Sequence, residues 1–363
     1  MSKNILLISG IFIIISLGLF LLFQPSKKVE ITIVKPDPIE EKIKIMSLDE
    51  KIGQMLIIGF ENQYLDDHIK TMIEKYHIGG INLLKRNIKN RKQIIELTKN
   101  LQSISSTTLF IGVDQEGGNV IRFDFLNELT GQINIKDTNQ AEDIAFKRAM
   151  ELKELGVNMN FSPVLDYVSD KKSYLYNRTF GTNPEKIGEL GQAMIKGYQK
   201  GAIIPVAKHF PGYGNVSLDP HKNEVQINID QNDLSRNLLP FQKLIDFDPF
   251  IAIMTAHIVV PSIDSKPATL SSMFLNEILR KQMGFKGVII TDDMEMVSAG
   301  KSVEESSLEA IIAGADMIIS TYTSEKHIKI FDKIKNAVLS GEITENRIDE
   351  SVRRILTLKM KVE

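Results

Sequence analysis

Eight short apolar runs, each followed by a longer stretch of helical period, leave few ways for this chain to fold. From Met46 onward the runs are MLIIGF at 55, GGINLL at 79, LFIGVD at 109, MNFSPVLD at 159, IIPVAKH at 203, FIAIMTAH at 250, GVIITDD at 287 and DMIISTY at 316. Between them lie segments such as LDDHIKTMIEKY, RKQIIELTKNLQSI, AEDIAFKRAMELKELG, PEKIGELGQAMIKGYQ and VEESSLEAIIAG, each ending near a glycine, a proline or a polar break. Strand-length runs alternating with helices argue for a parallel sheet covered by helices. Eight such units in one α/β domain over 46–363 suit a single (β/α)8 TIM-type barrel, a fold that takes roughly 250 residues and tolerates insertions. A doubly wound open sheet is the alternative, but no Gly-x-Gly-x-x-Gly follows the first strand to hold a dinucleotide.

The first 45 residues follow a different pattern. Ile5 to Phe23, ILLISGIFIIISLGLFLLF, runs 19 residues without a charge, close to the roughly 20 that span a bilayer. The flanks MSKN and QPSKKVE are polar, small residues do not precede a cleavage point, and no lipidation cysteine follows. The expectation is a short polar tail (1–4), a transmembrane anchor (5–23) that stays attached, and a linker (24–45) carrying Pro25, Pro36 and Pro38. Lys3 and the amino terminus favour an N-terminus inside the inner membrane and a periplasmic barrel, while Lys27 and Lys28 oppose that orientation.

Charge and cysteine content narrow the chemistry. With 44 Lys and Arg against 46 Asp and Glu, the net charge of -2 gives no basic face for nucleic acid. The absence of cysteine removes disulfides, thiolate nucleophiles and cysteine metal sites. What remains is a set of polar residues at the C-terminal ends of predicted strands: Asp114, Asp166, Lys208, His209, His257 and Asp292. In a barrel that end is the active-site face. One such residue could cap a helix or satisfy a core amide; six at five strand ends point to a site.

The stretch KHFPGYGNVSLDPH, Lys208 to His221, places two of the chain's six histidines in one loop. Asp219 and His221 are two apart, so in an extended segment their side chains leave the same face, and Pro220 favours that conformation for Asp219. A carboxylate can then orient the imidazole and stabilise its protonated form, which makes a histidine a general acid/base near neutral pH. By itself, Asp-x-His is more often a surface turn with a solvated histidine.

The stretch also resembles the Lys-His-Phe-Pro-Gly-His-Gly…Asp-Ser/Thr-His signature of glycoside hydrolase family 3, in its β-N-acetylglucosaminidase branch. SLDEKIGQMLIIGF (47), GGINLLKRNI (79), DQEGGNVIRF (114), NFSPVLD (160), NRTFG (177), MTAHI (254), GFKGVIITDDMEM (284) and AGADMII (313) resemble the branch in order and spacing. The likeness covers nearly all of Ser47 to Lys361. It implies Asp292 as catalytic nucleophile, His221 as general acid/base and Asp219 as its partner. It implies that Asp114, Arg122, Arg178, Lys208 and His209 bind an N-acetylglucosamine unit. The implied activity is a retaining exo-β-N-acetylglucosaminidase acting on cell-wall glycan fragments. No cofactor or metal is expected, and neither an H-x-H pair nor H-E-x-x-H is present. Three positions depart from the pattern: Tyr213 replaces the loop's second histidine, Pro220 the Ser/Thr, and Asn119 the Arg after the glycines. A β-glucosidase or phosphorylase of the same fold, and a membrane-anchored sugar-binding protein without activity, are the competing readings. The sequence carries no sign of oligomeric state.

Overall fold

The computed structural model describes residues 37–216, 225–296 and 301–363. The anchor expected at 5–23, the polar tail, most of the linker, and Asp219 and His221 lie outside the described residues. Among the described residues, no helix is long and apolar enough to cross a membrane.

Each of the eight apolar runs houses a barrel strand: β1 Leu56–Ile58, β2 Gly80–Leu83, β3 Phe110–Val113, β4 Met159–Asn160, β5 Ile204–Phe210, β6 Ala252–Thr255, β7 Val288–Asp293 and β8 Met317–Ser320. Each pairs in parallel with its neighbours in sequence, and β8 pairs with β1 to close the ring. A strand packed against the interior on one side and helices on the other is buried on both faces. That is why these segments read as continuous apolar runs rather than alternating ones; β2, β3, β5 and β8 are buried at every residue.

Helices follow the strands and begin where a side chain can take up a free amide at the first turn. Asp66, Asn90, Asp137, Asn183 and Asp230 cap the helices Asp67–Glu74, Arg91–Ser103, Thr138–Glu154, Pro184–Lys200 and Gln231–Phe247, each accepting from the backbone three residues on. Ser302 does the same for Val303–Ala313 within a full capping box. A π-helix, Met273–Gln282, precedes β7, and Ser324–Leu339 and Glu345–Lys359 complete the outer layer. A three-stranded sheet of Val225–Gln226, Ile258–Val260 and Asp264–Pro267 pairs chain beyond β5 with chain beyond β6.

The folded unit begins at Pro38, earlier than the boundary at 46 that the sequence suggests. Pro38–Ile45 is a helix packed on Glu345–Lys359. Proline suits a first helical position, and Ile39 and Ile43, one turn apart, face the core. Glu40 pairs with Arg353 on the neighbouring helix. A proline-rich composition hid an amphipathic turn.

At the N-terminal end of the barrel, Asp316 stands just before β8 and is wholly buried. Its carboxylate accepts from the Ile289 amide (2.9 Å), Ser351 Oγ (2.7 Å), Arg354 Nη1 (2.8 Å) and Arg280 Nη2. Arg347 Nη1 lies 3.8 Å away. The group ties β7, β8, the π-helix and the last helix together.

Candidate active site

At the opposite end, residues from seven of the eight strands or the loops that follow them line one cavity of about 300 Å3. Its charged part is built on the turn after β3. Gly117 and Gly118 both have positive φ (86° and 61°), and a Cβ on Gly117 would meet the Thr130 carbonyl oxygen at 2.2 Å. The turn therefore requires glycine there. Gln115 locks it from inside: its amide donates to Asn160 Oδ1 (2.9 Å), and its side-chain oxygen accepts from the amides of Arg122 (2.8 Å) and Phe123 (3.0 Å). Held this way, Asp114 and Glu116 both line the cavity.

Lys208, on β5, bridges the two carboxylates, with Nζ 2.6 Å from Asp114 Oδ1 and 2.8 Å from Glu116 Oε1. Arg178 grips Glu116 with two parallel donors, Nε at 2.9 Å and Nη2 at 2.7 Å. Arg122 Nη2 stands 3.5 Å from Asp114 Oδ2. Burial works against every charge in this group, yet Arg178 and Lys208 hold the Glu116 carboxyl far below the usual range. Asp114 is lowered in the same way against burial by Lys208 and Arg122, and its pairs raise Lys208 above its ordinary value. The result is a fixed lattice of ionised donors and acceptors, suited to a ligand rich in hydroxyls.

The Lys208–His209 peptide is cis, and both side chains line the cavity. Asp166, fully buried beyond β4, accepts from His209 Nδ1 (2.8 Å), the His209 amide (3.1 Å) and the Tyr213 amide (2.7 Å). A carboxylate at Nδ1 fixes the imidazole's tautomer and ring orientation. His257 works one layer back: its Nε2 donates to the Asp293 carbonyl oxygen (3.0 Å), and its Nδ1 lies 2.9 Å from Thr269 Oγ1.

The two aspartates ending β7 have opposite characters. Asp292 lines the cavity and accepts the Asp293 amide at Oδ1 (2.8 Å). Burial pushes its carboxyl up, but the nearby His209 and His257 outweigh that and hold it below the usual range. Asp293 is bound by Thr321 Oγ1 and the Glu295 amide (3.1 Å), and burial pushes it up to about 7. One neighbour is a carboxylate at neutral pH; the other titrates there.

Six of the residues singled out from sequence as catalytic or sugar-binding, Asp114, Arg122, Arg178, Lys208, His209 and Asp292, thus share one cavity. Lys208 and Arg178, expected to bind the sugar, each also pair with a carboxylate of the cavity wall. Glu116 and Asp293 went unnoticed, although Glu116 stands two residues after Asp114 just before the paired glycines, and Asp293 follows Asp292 directly. Tyr213, in place of the pattern's histidine, is buried against His209, ring centroids 5.2 Å apart, and its hydroxyl accepts the His257 amide at 3.1 Å. Asn119 lines the cavity. Among the described residues, no group of three or more histidine, aspartate or glutamate side chains is arranged to hold a metal ion.

Residues 47–358 match the model of the glycosyl hydrolase family 3 N-terminal domain. β-Hexosaminidase A of Pseudoalteromonas piscicida is 32% identical over 333 residues, covering 82% of this chain and 56% of that protein. The β-hexosaminidase of Nitrosomonas eutropha is 35% identical over 277 residues, 73% of this chain and 79% of that one. Among solved structures, a family 3 β-N-acetylglucosaminidase from Paenibacillus sp. str. FPU-7 superposes with a TM-score of 0.83 at 34% identity, over 87% of this chain and 63% of that chain. The chain thus spans little more than half the length of the first of these relatives and under two thirds of the solved structure.

Proposed function

The chain belongs to glycosyl hydrolase family 3, and from that membership we propose that it is a retaining exo-β-N-acetylglucosaminidase. The observation that carries the reading is Asp292: a carboxylate held ionised at the end of β7, in a cavity whose wall is the Asp114–Lys208–Glu116–Arg178 lattice. Retaining hydrolysis needs an ionised carboxylate beneath the anomeric carbon and a proton donor at the glycosidic oxygen. Asp292 attacks the anomeric carbon as His221, with Asp219 as the partner the family resemblance implies, protonates the departing oxygen. Water then releases the sugar from Asp292, with His221 taking up its proton. Asp114, Arg122, Arg178, Lys208 and His209 hold the hydroxyls of the terminal N-acetylglucosamine. The named relatives, β-hexosaminidases and a β-N-acetylglucosaminidase, support the choice of sugar.

A chromogenic β-N-acetylglucosaminide should be cleaved in preference to the matching β-glucoside, with the β-anomer released first and a rate indifferent to phosphate. Preference for the glucoside, or dependence on phosphate with a sugar phosphate as product, overturns the assignment. The finer reading, a membrane-anchored enzyme acting on cell-wall fragments outside the cytoplasm, requires the full-length chain to survive carbonate washing in the membrane fraction. It also requires release of N-acetylglucosamine from peptidoglycan fragments.

Glu116→Gln tests the lattice. The change keeps the shape and removes the charge that Arg178 and Lys208 both face, at about 1.5–3 kcal/mol for a charged hydrogen bond. The expected outcome is a KM raised roughly tenfold or more in steady-state kinetics. An unchanged KM would mean that the lattice does not shape the sugar pocket.

A further inference from the structure

The floor of the cavity is the uppermost layer of the barrel core. The interior of a (β/α)8 barrel fills in layers of four side chains drawn from alternate strands. Here the even strands supply Asn82 (β2), Phe161 (just beyond β4), Met254 (β6) and Ile319 (β8), all buried and all lining the cavity. The strand register places them at one level. Asn82 pairs through Gly112 to Met159, Met254 through Ile290 to Met317, and Ile319 through Ile57 to Gly80. Each series of pairs ends two residues before the next member of the set, the stagger that closing an eight-stranded barrel imposes.

Phe161, Met254 and Ile319 are apolar, as a barrel core demands; Asn82 is not. Its Oδ1 is buried and meets no hydrogen-bond donor among the described residues. Directly opposite it on β3 stands Gly112, which offers no side chain, and a Cβ there would meet the Phe161 ring at 2.8 Å. The side of Asn82 toward β3 is thus kept clear. Two other buried asparagines near the strand ends show the contrast. Asn87 donates to the carbonyls of Phe60 (2.9 Å) and Asn62 (2.8 Å) and accepts the Leu84 amide (2.9 Å). Asn160 donates to the Gln115 carbonyl and the Tyr198 hydroxyl, both at 3.0 Å, and accepts the Gln115 amide (2.9 Å).

A buried amide without a partner costs stability, and an apolar side chain in the same layer would cost none. The cost is accounted for if a ligand completes the amide when it fills the cavity. A carboxamide both donates and accepts, as a hydroxyl does. The charged lattice stands on β5 and on the chain beyond β3 and β4, and Asp292 ends β7; β2 adds its own polar group from the floor. We propose that Asn82 is a specificity-determining residue of the sugar site, taking one ring hydroxyl of the terminal sugar through its side-chain amide. This rests on the activity proposed above and adds a contact to it.

The test pairs the residue with the hydroxyl. Rates are measured for 4-nitrophenyl β-N-acetylglucosaminide and its 3-, 4- and 6-deoxy analogues with wild type, Asn82→Leu and Asn82→Ala, the last of which cannot clash. Both variants should lower kcat/KM for the parent glycoside about tenfold, the equivalent of ~1.4 kcal/mol. For the deoxy sugar that lacks the contacted hydroxyl they should leave it nearly unchanged, because that contact is already missing. Asn82→Leu should melt at or above the wild-type temperature, since it replaces an unpartnered amide with an apolar group. An unaltered kcat/KM for the parent overturns the assignment. So does an equal loss on all four substrates, or a lower melting temperature in both variants with such an equal loss, because the amide would then serve the fold and not the sugar. Wild-type protein that does not cleave the parent glycoside overturns the underlying activity itself.

Discussion

Asp292→Ala should bring turnover of a β-N-acetylglucosaminide close to background, toward the roughly 10⁶-fold loss that removing a covalent nucleophile can cause. The fold should survive. Asp292 is partly exposed at the cavity wall and accepts one hydrogen bond, from the next residue's amide, so its removal frees a single local donor and leaves the apolar core untouched. Asp293→Asn is the control. Asp293 titrates at about 7, so an amide imitates the protonated form already populated near neutral pH, and most of the activity should remain. The pH dependence separates them further. The Asp293 pKa is raised on folding from about 3.9 to about 7, so its contribution to stability is complete below pH 3.9 and is lost as pH rises through 7. Asp293→Asn should flatten the stability profile over that window. Thermal melts between pH 4 and 8, beside initial rates for both variants, check both statements. Full activity in Asp292→Ala with none in Asp293→Asn would move the nucleophile by one residue.

The barrel was legible in the sequence because its signal is local and redundant. The strands are buried on both faces, so the runs are apolar, and most of the following helices announce themselves with an Asp, Asn or Ser cap. Asp114, Lys208, His209 and Asp292 could be placed at strand ends for the same reason. What could not be read was pairing. Glu116 meets Arg178 across 62 residues of sequence, and that contact exists once β3 and β4 stand side by side. The opposed characters of Asp292 and Asp293 depend on burial, which pushes Asp293 up, and on the two histidines that hold Asp292 down, none of which can be seen in the dipeptide. The helix Pro38–Ile45 escaped notice because its prolines suggested a tether and its packing partner, Glu345–Lys359, comes at the end of the chain.

The same charge chemistry at the other end of the barrel should affect stability and leave catalysis alone. Asp316 is buried, and its two oxygens collect an amide, a hydroxyl and the guanidinium groups of Arg280 and Arg354, with Arg347 close by. Burial pushes the Asp316 carboxyl up, but the three arginines outweigh it and hold the group below its ordinary range. Even with that carboxylate present, burial brings Arg280 down to about 10. Asp316→Ala would leave three cations facing one another around a void. Removing one partner of a buried ion pair costs about 3–5 kcal/mol, so the melting temperature should fall on the order of 10 °C. The kcat of protein that remains folded should stay near wild type, because the site lies at the far end of β7 and β8. The acid side gives a second readout: the folded pKa lies below the unfolded value of about 3.9, so the stabilisation is complete above that pH and is lost as pH falls below it. Asp316→Ala should therefore show a shallower loss of stability on acidification. Calorimetry across pH 2.5 to 7, with kinetics taken well below the variant's melting point, separates the outcomes. A melting temperature equal to wild type would mean that the arginines are adequately solvated without Asp316; a lost kcat in folded protein would mean that the two ends of the barrel are coupled.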